Sequence, residues 1–355
     1  MINYFRALKL FAYRIATSKI GKFILAFFSF GVTVPHLPKA TSIRKFPFII
    51  AVTIDTESGF VLQNQRRVWQ GEDPGNFQGF YHGIRNLRRI FKKYNVHATF
   101  FLSTNCFSAT GKDYELIITE LKTLLKENHE IGLHLHPDSD SALHERIGKK
   151  YTKAGARFYS LKEKKKLIIE SRKLIAEHLG KNAAAKVKSF RWGNWALDSG
   201  AVSALEQCGF SADSSATPGI SGHKDDHRFY DWKNVSERHP WWLSKADYQN
   251  TAHQNSKILE IPIATFSFLG VPMRADPVNS ILLQRAFEIY HKSADRLNKP
   301  FVFVVITHST EATTKDGNGT KTLNDLASFI GFTKGFKDVQ FVTLQEAKQA
   351  VVIDR

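Results

Sequence analysis

Cysteine is nearly missing from this chain: Cys106 and Cys208 are the only two among 355 residues, and they form neither a CxxC pair nor a zinc-finger spacing. A disulfide-built scaffold is thereby excluded as the organising principle. The two thiols fit a reducing compartment or buried positions, and a single bridge between them stays open. Methionine is equally scarce, at 2 residues. The apolar run over residues 23–34 is shorter than the ~20 residues a membrane-spanning helix needs. Acidic residues are few against basic ones, 33 against 50, for a net charge of +17. Such a surface attracts polyanions such as acidic glycans or anionic lipid, unless it reflects only a lysine-rich composition. There is no RNP-like aromatic strand, zinc finger or basic region followed by heptads, so no nucleic-acid partner is expected. Fixed-period repeats and low-complexity segments are also lacking.

What is present is a large apolar fraction, 43% hydrophobic with 28 Phe. That composition affords a sizeable core and excludes wholesale disorder. The length accommodates one large α/β domain or two smaller ones.

Residues 1–45 read differently from the rest and form a basic, apolar N-terminal extension. Tyr4, Leu8, Phe11, Ala12 and Ile15 recur at helical spacing, with Arg6, Lys9 and Arg14 off that stripe. Three readings stand beside one another. The arm is a basic amphipathic segment on an anionic membrane surface, an export or anchor sequence, or an extra helix packed on the main domain. The corresponding locations are cytoplasmic, peripheral at the inner membrane, and exported or anchored.

From residue 46 to 355 the pattern alternates. Strands are expected over 48–54, 96–102, 129–136, 187–192, 258–263, 301–307 and 339–343. Helices are expected over 79–94, 113–128 with Asp113 as N-cap, 161–179, 199–208 with Gly209 as C-cap, 277–297, 323–332 and 345–351. About seven or eight βα units imply a parallel sheet covered by helices, closed or nearly closed into a barrel. The stretch 217–255 breaks the alternation with Gly, Asp, His and Trp, and reads as a functional or mobile loop.

Several apolar runs stop at residues that carry chemistry. Asp55 and Glu57 end the first strand two residues apart, so both carboxylates face one way if the strand continues. One then binds a metal while the other acts as base; the alternative is a helix cap beside a surface carboxylate. His134, His136 and Asp138 share one face of another strand end, and imidazoles with carboxylates suit Zn2+ or a similar divalent ion. Arg191 is placed to hold a catalytic carboxylate through paired hydrogen bonds, or to make a structural ion pair. His308 ends the strand FVFVVIT, where a histidine is poised for proton transfer. Trp192, Trp195, Trp241 and Trp242 divide evenly between a platform for sugar rings and core packing.

The order of these segments resembles the polysaccharide deacetylases, the carbohydrate esterases that share the NodB homology domain, over roughly residues 46–345. The resemblance implies a distorted (β/α)7-8 barrel and a metal-dependent hydrolase. Such an enzyme removes acetyl groups, most often N-acetyl, from an acetylated glycan or lipid-linked sugar of the cell surface. Carried over, Asp55 matches the catalytic base and Arg191 the arginine that tethers it. His308 matches the general acid, and Ile306 the apolar residue lining the acetyl pocket. Glu57 takes the metal carboxylate's role two residues after Asp55, where Thr56 stands in the adjacent position. His134 matches the first histidine of a His-x-x-x-His motif whose second place is Asp138, leaving His136 or Asp138 as the next metal ligand. Asp213 matches a later motif residue, usually structural, and also joins the tryptophans as a candidate substrate contact. Two other readings remain: a metal-independent hydrolase of a small cyclic amide on the same fold, and a catalytically degenerate polysaccharide binder.

Overall fold

A computed structural model describes residues 31–34, 46–58, 60–63, 66–69, 76–294 and 300–353. The expected N-terminal helix lies outside these residues. Of the extension, Val32–Thr33 is described, and it pairs antiparallel with Phe268 and Ser267 of a hairpin formed by Thr265–Phe268 and Val271–Arg274. Among the described residues no helix is long and apolar enough to cross a membrane.

Among the described residues the main sheet has nine strands: β1 (Phe48–Thr56), β2 (Thr99–Leu102), β3 (Glu130–Leu135), β4 (Ser189–Trp192), β5 (Ala212–Asp213), β6 (Trp241–Trp242), β7 (Leu259–Glu260), β8 (Phe301–His308) and β9 (Val339–Phe341). The order β7-β5-β4-β3-β2-β1-β8 is parallel throughout. β6 adds antiparallel to β7, and β9 pairs with the first three residues of β1. Ile263, just past β7, bridges Val304 of β8, so the curled sheet meets itself. The result is the distorted α/β barrel that the strand count implies.

Alternation along the strands divides the core into two layers, because successive side chains point to opposite faces. Ile49 and Ala51 of β1 join Val302, Val304 and Ile306 of β8, with Phe101, Leu259, Ile261 and Ile263, in one cluster that fills the barrel lumen. Phe48, Ile50, Val52 and Ile54 belong to the outer cluster, packed with the helices. The lumen is closed at its lower end by Leu344 and Ala347 of the last helix, Leu344–Ile353. The parity continues upward, so Asp55 of β1 and His308 of β8 lie on the lumen side of the opposite rim. Their registers match, His308 beside Asp55. In β3 and β4 the outer positions are Leu133, Leu135, Phe190 and Trp192, which leaves His134 and Arg191 facing inward.

The helices follow the expected pattern with shifted ends. Leu161–Leu179 is observed as expected and opens on a Ser160/Glu163 capping box. The helix Gly111–Lys126 starts earlier than expected: Thr110 is its N-cap residue and Asp113 lies inside the first turn. Cys208 caps Ser199–Gln207, and Gly209 follows with φ of +74°. The expected 277–297 helix is split into a 3-10 turn, Pro277–Asn279, and Ser280–Ala294. Residues 217–255 are not a bare loop. They carry a short hairpin, Ser221–Gly222 with Tyr230–Asp231, and bury Trp232 completely. Both cysteines are free thiols, Cys106 buried and Cys208 partly so.

Candidate active site

The inward-facing residues of the upper rim converge. Glu57, His134 and His136 form one buried group whose ligand atoms lie within 4.8 Å of one another. Glu57 Oε2 stands 2.7 Å from His136 Nε2 and 3.2 Å from His134 Nε2. His134 Nδ1 lies 3.1 Å from the Arg191 carbonyl oxygen. A carbonyl only accepts, so Nδ1 carries the proton and Nε2 offers its lone pair to the group, the tautomer a metal-ligating histidine needs. Two imidazole nitrogens and one carboxylate aimed at a common point fit a divalent cation with a further position open.

Asp138 stands apart from this group. Its Oδ1 is 3.7 Å from His136 Nδ1, on the far side of that ring from Glu57. Of the two candidates left open for the next metal ligand, His136 lies within the three-residue group and Asp138 stands behind its ring. The strand ends at Leu135, so the face shared by His134 and His136 does not extend to Asp138. Burial lowers the His136 pKa, but Glu57 and Asp138 outweigh it and hold the imidazole well above its ordinary value. Glu57 is the counterpart: burial pushes it up, His136 and His134 pull it well below the carboxylate range.

Gly193 fixes the ring's place. A Cβ there would sit 2.6 Å from Nε2 and Cε1 of His136, so the backbone lies flat against the imidazole. The next two residues, Asn194 and Trp195, both adopt positive φ, of 53° and 57°. Neither has the glycine freedom that makes this backbone cheap, and such strain accompanies sites where surrounding contacts hold the chain. One of those contacts is Trp232 Nε1, which donates to the Trp195 carbonyl at 3.0 Å.

Beside the group lies Asp55. Arg191 Nη1 donates to Asp55 Oδ1 at 2.5 Å. The guanidinium is held on every side: Nε donates to the Ser214 carbonyl at 2.7 Å, Nη2 donates to the hydroxyls of Thr53 and Ser214 at 3.0 Å, and the ring of Phe101 lies 4.3 Å away. Phe101 has room in the lumen because position 132 is glycine; a Cβ there would be 2.7 Å from its ring. Burial raises the Asp55 pKa, but Arg191, then His134 and His308, outweigh it, so the carboxyl stays ionised. Its other oxygen, Oδ2, faces His134 Nε2 at 3.9 Å and His308 Nε2 at 4.0 Å.

His308 brings a partner that the sequence reading missed. Glu311, three residues on, receives the His308 backbone N–H at 2.9 Å and lies 3.2 Å from His308 Nδ1. Nε2 is thus turned toward the cleft, 3.7 Å from Glu57 Oε1. The His-x-x-Glu spacing was visible, but only the turn Ser309–Ala312 folds the carboxylate back onto the ring.

The other expected substrate contacts scatter. Trp192 is fully buried, its Nε1 donating to the Ala154 carbonyl at 2.8 Å, and Trp241 is 2% exposed. These two belong to the core. Asp213 is also buried, accepting from the Ser215 N–H and hydroxyl at 2.9 and 3.0 Å. It faces Glu260 across the β5–β7 register, and burial and the neighbouring Asp213 push the Glu260 carboxyl well above the carboxylate range. Asp213 is therefore a support behind the rim. Trp242 packs half-buried against the lumen cluster, and Trp195, also half-buried, touches both core layers.

No protein-family model matches the sequence, and no curated protein matches it. Solved structures do match in fold. One is assigned as a glycoside hydrolase or deacetylase from Parabacteroides distasonis, with 13% identity and a TM-score of 0.59, covering 87% of this chain and 72% of that one. Another is assigned as a polysaccharide deacetylase from Mycobacterium smegmatis, with 16% identity and a TM-score of 0.54, covering 90% and 96%. A third is an allantoinase, with 12% identity and a TM-score of 0.52, covering 85% and 90%. The fold is thus the one shared by polysaccharide deacetylases and their hydrolase relatives.

Proposed function

We propose that this chain is a metal-dependent hydrolase that removes acetyl groups, N-acetyl foremost, from a sugar or polysaccharide. The observation that carries this reading is one buried cluster on the upper rim: a His/His/Glu group, a carboxylate locked to a buried arginine and a histidine backed by glutamate. Glu57, His134 and His136 would hold the cation, with Asp138 orienting His136. A divalent cation in that nitrogen-rich set, Zn2+ by preference, would supply Lewis-acid polarisation of the acetyl carbonyl and lower the pKa of a water.

The chain's own residues do the proton work. Asp55, kept ionised and oriented by Arg191, takes a proton as the water oxygen bonds to the carbonyl carbon. His308 Nε2 donates a proton to the sugar nitrogen as the carbon–nitrogen bond breaks, because an amine anion is too poor a leaving group. Glu311 keeps that ring aimed and stabilises its charged form. The products are acetate and the free amino sugar.

Acetate release from N-acetylated oligosaccharides, measured with and without chelator, tests the reading. Chelator-sensitive release supports it. The allantoinase of like fold favours one alternative, hydrolysis of a small cyclic amide, and turnover of such an amide with no acetate from any glycan would replace the proposal.

A further inference from the structure

Resting on the deacetylase reading, we infer that Arg274 is a substrate-selecting cation at the mouth of the cleft, and that the favoured substrate carries an anionic group, carboxylate or phosphate, near the acetylated position. The residue after Arg274, Ala275, accepts a hydrogen bond from the backbone N–H of Ile306 at 2.9 Å. Ile306 lies two residues before His308 in β8, roughly 7 Å along a strand. On its other side the Arg274 guanidinium stacks 3.8 Å above the ring of Trp195. Trp195 is two residues from Gly193, whose backbone presses against His136. Arg274 thus spans the rim between the proton donor and the metal-ligating group.

The guanidinium is also held for a purpose other than an internal ion pair. Its Nη1 donates to the Tyr230 hydroxyl at 3.1 Å, and Tyr230 packs edge-on to Trp195 at 5.4 Å. Tyr230 itself is buried, and Arg274 is half-exposed. Among the described residues no carboxylate lies within ion-pair distance of Arg274, whereas Arg85, Arg88, Arg146, Arg191, Arg228 and Arg285 each have one. A guanidinium pre-oriented by an aromatic face and one hydroxyl, with its remaining donors uncommitted, matches a planar carboxylate or a phosphate. The strained backbone of Asn194 and Trp195, pinned by Trp232, keeps that aromatic face in place. The net charge of +17 draws the same class of substrate toward the surface.

The test compares kcat/KM for acetate release from two N-acetylated oligosaccharides of equal length, one neutral and one carrying a carboxylate beside the acetamide. Wild type, Arg274→Gln and Arg274→Lys are measured, each checked for folding by thermal melting. The expected preference of wild type for the anionic substrate is about 10-fold or more, the scale of one charged hydrogen bond. It drops close to one in Arg274→Gln, survives in part in Arg274→Lys, and shrinks as salt is raised. A wild-type ratio near one, or a ratio unchanged in Arg274→Gln, overturns the inference while leaving the deacetylase reading intact. Absence of acetate from both substrates overturns that reading and this inference with it.

Discussion

Arg191 and Asp55, far apart in sequence, meet through a 2.5 Å hydrogen bond with both side chains buried, 0% and 2% exposed. Three further hydrogen bonds fix the guanidinium, so the carboxylate it holds has one defined direction. Removing one partner of a buried pair strands the other charge, at a cost of about 3–5 kcal/mol. Arg191→Met is expected to lose stability on that scale in urea unfolding and to release no acetate. The double variant Asp55→Asn/Arg191→Met regains part of the stability and none of the activity. Equal stability of wild type and Arg191→Met contradicts this.

The division of labour between His134 and Asp138 is measurable as metal content. His134→Ala removes a donor from the three-residue group and is expected to abolish retention of a stoichiometric cation after dialysis. Asp138→Asn removes only the carboxylate behind His136, and such outer partners are worth roughly 10- to 100-fold in affinity. Equal losses in the two variants place Asp138 among the direct ligands instead.

Gly193→Ala tests the packing against His136. A methyl 2.6 Å from the imidazole must move the ring or the loop. The expected result is a folded protein with metal affinity lowered at least as far as in Asp138→Asn. Unaltered affinity means that the strained Asn194–Trp195 turn absorbs the methyl.

His308 distinguishes substrates by leaving group. An amine needs its proton before it departs and an alkoxide needs it less. His308→Ala is expected to slow N-acetyl hydrolysis by 10²-fold or more, within the usual range for a general acid, and O-acetyl hydrolysis of the same sugar by less. Glu311→Gln moves both rates the same way as His308→Ala but to a smaller degree. Equal losses on amide and ester remove the general acid role.

Far from the cleft, burial pulls His129 down from its ordinary value to about 4, despite a Glu127 carboxylate 4.0 Å away. The folded state refuses a proton that the unfolded chain accepts below about 6.5. Stability therefore falls as pH drops from about 6.5 to 4, by up to about 3 kcal/mol from this group. His129→Asn is expected to flatten that part of a denaturation profile between pH 7.5 and 4.5; an unchanged slope assigns the acid sensitivity elsewhere.

Much of this was legible in sequence because it depends on local periodicity. The all-apolar run of β1 and the run FVFVVIT of β8 announced buried strands, and their parity alone sends Asp55 and His308 to the lumen. The companionship of Glu57 with His134 and His136 was half legible: strand-end spacing put each on the rim, but only the register among β1, β3 and β4 brings them together. Trp192 and Trp241 were ambiguous because a tryptophan serves a core and a sugar platform equally well, and their burial decides for the core. Glu311 and Arg274 were overlooked, since each acts through a turn or hairpin that brings it back to the cleft by tertiary contacts.

Acetate release measured together with bound metal, for wild type and Asp55→Asn, tests the central claim most directly. Asp55 stands beside the three-residue group and outside it, so the account predicts that both proteins carry one divalent cation and that only wild type releases acetate. Acetate release by Asp55→Asn at a rate near wild type would contradict it, as would turnover by a wild-type protein stripped of metal.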